Sequence, residues 1–213
     1  ILDHCAEQRP EEIVINTVRL DGSDDAVTRK VLSQRSDEIA QALIARGVGP
    51  GVFVPIHLPT CTDFLVATVG IFKAGGTPMP VSDRLPQPEL DHLLALSGAT
   101  VAISRTLSGL ETLDPAIFSG DTETPQIRPT RVSNPIKALA SGGSTGKPKL
   151  IITTGDALFD ADNPIIPMLM RFESSDLKYS PGPLYHNGPF WFSVNMLLRG
   201  GRILLNERFN VSQ

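Results

Sequence analysis

From Thr28 onward, the spacing of apolar positions divides the chain into alternating helical and extended stretches. Over Thr28–Arg46, Val31, Leu32, Ile39, Leu43 and Ile44 recur at near-helical spacing, with Thr28 placed to cap the start and Gly47 to end it. Gly49-Pro50-Gly51 reads as a turn, and Val52–Leu58 alternates apolar residues as a strand does. Thr62 is placed to cap a helix over Asp63–Ala74, whose apolar residues cover most of its circumference and predict burial. Gly75-Gly76 stops it. Thr77–Val81 is a short strand weakened by Pro78 and Pro80. A helix over Pro88–Leu96 ends before Gly98, and Val101–Ser104 is a further strand. Alternation of this kind predicts an α/β domain with mostly parallel sheets flanked by helices.

Arg105–Ser133, rich in Thr, Ser, Pro and Gly, breaks the rhythm and reads as an irregular surface excursion. Ile136–Ala140 and Leu150–Thr154 read as strands on either side of a glycine-rich segment. Pro164 and Pro167 interrupt any helix within Gly155–Phe172. Pro189–Leu198 reads as a buried helix, followed by Gly200-Gly201 and a last strand over Arg202–Leu205.

The chain has 213 residues, enough for one large domain or two small ones, and 41% hydrophobic residues can supply a core. A net charge of −4 without any Lys/Arg run argues against nucleic acid or an anionic membrane as the main partner. No apolar run approaches the roughly 20 residues of a membrane span. Cys5 and Cys61 make no CxxC pair, and a reduced, cytoplasmic setting is expected. The polar start is no signal peptide. A first residue of Ile1, and an end at Gln213 without a terminal helix signal, predict a fragment of a larger protein.

The most informative stretch is Ser141-Gly142-Gly143-Ser144-Thr145-Gly146-Lys147-Pro148-Lys149-Leu150. Its glycines let the backbone approach a ligand closely, successive N–H groups form an anion-binding concavity, and Lys147 and Lys149 add positive charge. Those residue types suit a polyphosphate, and they equally suit a solvated surface turn. The nucleotide-binding pattern GxxxxGK[ST] fails, because Ser141 replaces its first glycine and Pro148 its Ser/Thr. Gly142–Gly146 also fits the GxSxG elbow of a serine hydrolase with Ser144 as nucleophile, and Asp176 and His186 follow in the required order. That elbow needs a helix after the turn, whereas Ile151–Thr154 is β-branched.

The same residues resemble the phosphate loop of the adenylate-forming superfamily, the AMP-binding ligases that include acyl-CoA synthetases, luciferases and peptide-synthetase adenylation domains. Ser141, Gly143, Ser144, Thr145, Gly146, Pro148 and Lys149 match its pattern; Gly142 stands for the usual serine and Leu150 for the usual glycine. SGGSTG followed by KPKLI is similar to the bile-acid–CoA ligase-like or fatty-acid–CoA ligase branch. Leu32–Pro59, Asp63–Val81 and the segment PLYHNGPF at Pro183–Phe190 resemble further family segments in the right order. His4, His57 and His92 have no partner at metal spacing, whereas His186 falls in a family motif.

The resemblance implies that residues 1–213 are an incomplete N-terminal adenylation domain. The rest of that domain and a small C-terminal domain would lie outside the chain. The implied reaction is ATP-dependent activation of a small carboxylic acid as acyl-adenylate, then thioester formation with coenzyme A. Mg²⁺ is an implied cofactor and fatty-acid or bile-acid metabolism an implied setting. Ser141, Gly142, Gly143, Ser144, Thr145, Gly146 and Lys149 would bind the ATP phosphates. Lys149, Thr145 and His186 would be catalytic, and His186, Asn187, Gly188 and Trp191 would line the acid pocket; Phe190 and Trp191 equally suit the apolar face of helix Pro189–Leu198. The chain alone would be inactive and would self-associate or dimerise through an uncovered apolar face. A non-catalytic nucleotide- or acyl-binding module is the alternative from a different class.

Overall fold

The computed structural model describes residues 1–121, 125, 132–141, 148–158, 168, 171, 173 and 175–208. The described elements run α1 (Leu2–Gln8), β1 (Ile13–Val18), β2 (Asp24–Thr28), α2 (Arg29–Ile44), β3 (Phe53–His57), α3 (Thr62–Lys73), β4 (Thr77–Val81), α4 (Gln87–Ser97), β5 (Val101–Ser104), β6 (Glu111–Leu113), β7 (Lys137–Ser141), β8 (Lys149–Thr153), β9 (Leu177–Ser180), α5 (Asn187–Leu198) and β10 (Arg202–Asn206). One sheet has the order β2-β1-β10-β9, in which only the β1–β2 pair is antiparallel. A second has the order β4-β3-β5-β6 and is parallel throughout. β7 and β8 form an antiparallel ribbon. The α/β class with mostly parallel sheets and flanking helices is as expected.

The main core joins both four-stranded sheets through α2 and α3. Val14 and Ile15 of β1, Ile39 and Leu43 of α2, Val54 and Ile56 of β3, and Phe64 and Ile71 of α3 are all fully buried. Thr28 caps α2 as predicted, its hydroxyl accepting from the Val31 N–H at 3.3 Å. Gly98 ends α4 in the left-handed conformation, φ +62°, that a β-carbon would disfavour.

The predicted cap at Thr62 is corrected. Cys61 is the capping residue and makes no side-chain cap bond. The Thr62 hydroxyl lies instead 2.8 Å from both the Thr17 hydroxyl and the Asp25 carbonyl, stitching α3 to the first sheet. The reading of Arg105–Ser133 as irregular is corrected over its first part, because β6 pairs in parallel with β5 and a 3₁₀ turn follows at Pro115–Ile117; residues 122–124 and 126–131 lie outside the described residues. A three-residue strand carries too little periodicity to register.

A partly buried ion network holds the stretch from Arg105 to Phe118 against α2 and α3. Arg35 donates to Asp63 at 2.7 Å, to the Pro115 carbonyl at 2.8 Å and to the Phe118 carbonyl at 2.7 Å. Arg105 pairs with Asp63 and, at 3.2 Å, with Asp114.

β4 is a full strand despite its prolines. The Thr77 N–H donates to Val52 at 2.8 Å, so in this parallel pair the nitrogens of Pro78 and Pro80, one residue out of step, face away from β3. β7 packs along that outer side without joining the ladder. It is fixed there by the Thr77 hydroxyl, which donates to the Pro135 carbonyl at 2.8 Å and bonds the Ser133 hydroxyl.

α2 and α3 approach closely at Gly70. A β-carbon there would lie 2.6 Å from Ile39 Cγ2 and 3.1 Å from the Ser36 carbonyl. Gly70→Ala is therefore expected to destabilise the protein by about 1–3 kcal/mol through overpacking. Urea midpoints of the two proteins check this, and equal midpoints would mean that the helices move apart at no cost.

Candidate functional site

The glycine-rich segment is the connection between β7 and β8, whose last rung pairs Ser141 with Lys149. Gly142, Gly143, Ser144, Thr145, Gly146 and Lys147 lie outside the described residues. The loop's two ends are described. Ser141 is half-buried, with its hydroxyl 3.5 Å from the Lys149 carbonyl, Pro148 is buried, and Lys149 is exposed. Ala138, with Ala140 and Leu150 beside it, packs into a second core with Met79 and Val81 of β4 and Leu90 and Leu93 of α4. The ribbon is thus held from below while its tip is left to the loop.

That topology bears on the competing motif readings. Lys149–Thr153 is a strand antiparallel to β7. Both the GxSxG elbow at Ser144 and the GxxxxGK[ST] loop require a helix at that point, so the strand overturns the hydrolase alternative.

The PLYHNGPF segment leads into α5. Leu184 is buried, and its N–H donates to the Thr60 hydroxyl at 3.1 Å. Phe190 is fully buried and meets Phe64 edge-on, with ring centroids 6.4 Å apart. Of the two readings of Phe190, pocket wall or apolar helix face, the structure favours the second: it is a core residue. His186 is the N-cap residue of α5, exposed, with its ring centroid 4.7 Å from that of Tyr185. Asn187 is exposed, and Gly188 and Trp191 are half-buried.

Lys137, at the start of β7, joins the two halves of the site and was missed by sequence reasoning. Its side chain is buried. Its ammonium donates to Asn187 Oδ1 at 2.8 Å and lies 4.2 Å from the centre of the Trp191 ring. Burial lowers its pKa from the ordinary lysine value. The available signal was a lone charge inside the otherwise apolar strand Ile136–Ala140.

Two concavities adjoin these elements. An apolar pocket of about 100 Å³ is lined by Trp191, Val194 and Leu198 of α5 together with Phe72, Ile136, Ala157 and Leu158. A more polar cleft of about 190 Å³ opens beside Tyr185, between Thr60, Asp83, Arg84 and Asn206. It sits past the carboxyl ends of β3, β4, β9 and β10, the usual place for ligands in parallel sheets.

His57 is half-buried and Ser104 Oγ lies 3.4 Å from its Nδ1; burial lowers its pKa, with Asp83 opposing. Burial pushes the Cys61 thiol up to about 11, which leaves it inert at neutral pH. Among the described residues, no group of three or more His, Cys, Asp or Glu could hold a metal, so the described part offers Mg²⁺ no ready cage. No helix among them is long and apolar enough to cross a membrane.

Comparison with known proteins matches residues 2–213 to the AMP-binding enzyme family. The chain is 30% identical over 199 residues to a feruloyl-CoA synthase of Amycolatopsis sp, covering 87% of this chain and 40% of the relative. It is 32% identical over 160 residues to the chondramide synthase of Chondromyces crocatus, covering 69% of this chain and 4% of the relative. Among solved structures, o-succinylbenzoate–CoA synthetase from Bacillus subtilis, in complex with its acyl-adenylate intermediate, superposes with a TM-score of 0.76 at 21% identity. That superposition covers 99% of this chain and 56% of the other, and shows a shared fold. The chain thus spans well under two thirds of the length of the relatives it matches.

Proposed function

The chain belongs to the AMP-binding enzyme family, and from that premise we propose that the complete protein activates a carboxylic acid as its acyl-adenylate and transfers the acyl group to the thiol of coenzyme A. In the first step a carboxylate oxygen attacks the α-phosphorus of ATP. The new O–P bond forms as the bond to pyrophosphate breaks. In the second step the thiol sulfur replaces AMP at the acyl carbon. The observation that carries this reading is the Lys137–Asn187 hydrogen bond, which ties the strand bearing the glycine-rich loop to the helix start bearing His186. Phosphate-binding and acyl-binding groups would then share one rigid support, and orientation of two bound reactants is what the first step most needs.

In this reading the Ser141–Lys149 loop, including Gly142, Gly143, Ser144, Thr145 and Gly146, holds the ATP phosphates. Backbone N–H groups and the Lys149 ammonium offset the repulsion between a carboxylate and a polyphosphate. His186, Asn187, Gly188 and Trp191 border the acid. Mg²⁺, when bound with the nucleotide, would neutralise phosphate charge. The test is pyrophosphate release by the full-length protein with ATP, Mg²⁺ and a panel of fatty, aromatic and steroidal acids. Hydroxamate trapping would identify the adenylate and a free-thiol assay would follow coenzyme A.

His186→Ala and Trp191→Ala should alter KM for the acid, or the order of preferred acids, more than KM for ATP. Steady-state kinetics over the panel check this. A loss confined to ATP would remove both residues from the acyl side.

A further inference from the structure

We propose that Lys137 is a positioning residue that aligns the acid with the bound nucleotide, and so governs the rate of adenylation more than the affinity for either reactant. The inference rests on the adenylation reading above and deepens it. Lys137 touches neither reactant in that reading; it acts through Asn187 and Trp191 of α5.

The seat of the β7–β8 ribbon calls for such a residue. Among the described strands β7 is laddered to β8 alone, and Pro78 and Pro80 of β4 offer it no N–H. A backbone ladder would fix the height and tilt of the ribbon; without one, side chains must do so. At its foot the buried Thr77 hydroxyl bonds the Pro135 carbonyl at 2.8 Å and the Ser133 hydroxyl. Ala138 packs into the second core, but apolar packing has no direction. Lys137 supplies a directional contact towards α5. Its ammonium donates to Asn187 Oδ1 at 2.8 Å and lies 4.2 Å from the centre of the Trp191 ring. Those two residues stand one helical turn apart, so a single ammonium limits the rotation of α5 as well as its distance.

The position of Lys137 along β7 connects that contact to the loop. Ser141, where the glycine-rich loop begins, lies on the same face of the strand. His186 directly precedes Asn187. A shift at Lys137 therefore moves the start of the loop relative to His186. The choice of residue fits this role. Lys137 is 5% exposed, and burying an ammonium is costly. An apolar pair would join strand to helix without that cost, but would not set an angle. In-line attack depends on angle and distance, and a displacement of about 1 Å slows such a step about a hundredfold.

The experiment uses the full-length protein with ATP, Mg²⁺ and the panel acid it turns over fastest, and follows pyrophosphate release in a single turnover. Lys137→Met keeps the length of the side chain and removes its donor and charge. It should slow release at saturating acid and ATP about ten- to a hundredfold, with half-saturating concentrations of both changed less than about threefold. Lys137→Arg keeps donors and charge and should recover most of the rate, a pattern that general loss of stability would not give. Because Lys137 acts through Asn187, adding Asn187→Ala to Lys137→Met should cost little more. An unchanged rate in Lys137→Met, losses that multiply in the double variant, or an Arg variant no faster than the Met variant would overturn the positioning role and leave adenylation intact. Failure of the wild-type protein to release pyrophosphate with any acid of the panel would overturn the adenylation reading and this inference with it. Should Lys137→Met not fold, Asn187→Ala decides: the same slowing at saturation is expected, and an unchanged rate overturns the proposal.

Discussion

Asp63→Ala is expected to destabilise the protein by about 3–5 kcal/mol, the usual cost of removing one partner from a buried ion pair. The Asp63 carboxylate and the Arg35 guanidinium are each only 11% exposed. Arg35 spends its other donors on the Pro115 and Phe118 carbonyls, so without Asp63 its charge would remain buried beside neutral groups. Arg105, at 39% exposure, can turn to water, and its share of the loss is small. The double variant Asp63→Ala/Arg35→Met separates charge from packing. It should recover part of the loss, because replacing both partners by apolar groups is often close to neutral. Urea unfolding of the two variants measures this, and equal losses would assign the effect to packing alone.

The second large effect concerns activity. In the full-length protein Lys149→Ala should lower ATP-dependent pyrophosphate exchange about ten- to a hundredfold, the equivalent of about 1.5–3 kcal/mol for a lost charge-assisted contact. Lys149 is exposed at the exit of the loop, on the last rung of the ribbon. Exposed positions of that kind usually alter stability by less than about 0.5 kcal/mol, so a loss of exchange could not be put down to unfolding. Lys149→Arg keeps the charge and should retain more activity than the alanine variant. Normal exchange in Lys149→Ala would remove this residue from phosphate binding.

Much of the α/β alternation was legible in the sequence because buried helices and strands leave strong periodic signals. α2 has a capping hydroxyl at Thr28 and an apolar stripe, and α3 is apolar nearly all round and buried accordingly. The first sheet was less legible. β1 carries Asn16 and Thr17 among its apolar residues, and β9 alternates exposed Leu177 and Tyr179 with Lys178. Neither pattern separates a strand from a loop without knowledge of its neighbours. Of the site, the glycine-rich loop and the PLYHNGPF segment were visible as motifs. Lys137 was not, because its importance comes from Asn187, which is 50 residues away in sequence. The choice between pocket and core for Phe190 could not be made from sequence for a related reason: its edge-on contact with Phe64 joins two helices that no local pattern connects.

The two prolines of β4 set a limit on how this protein can associate. With Pro78 and Pro80 turned outward, the free side of β4 has lost backbone donors at alternate positions. A strand from another molecule that tried to extend the sheet there would find carbonyls with no matching N–H groups, and β7 already occupies that flank. Sheet growth is closed off at that margin, so any assembly by strand addition must use a different edge.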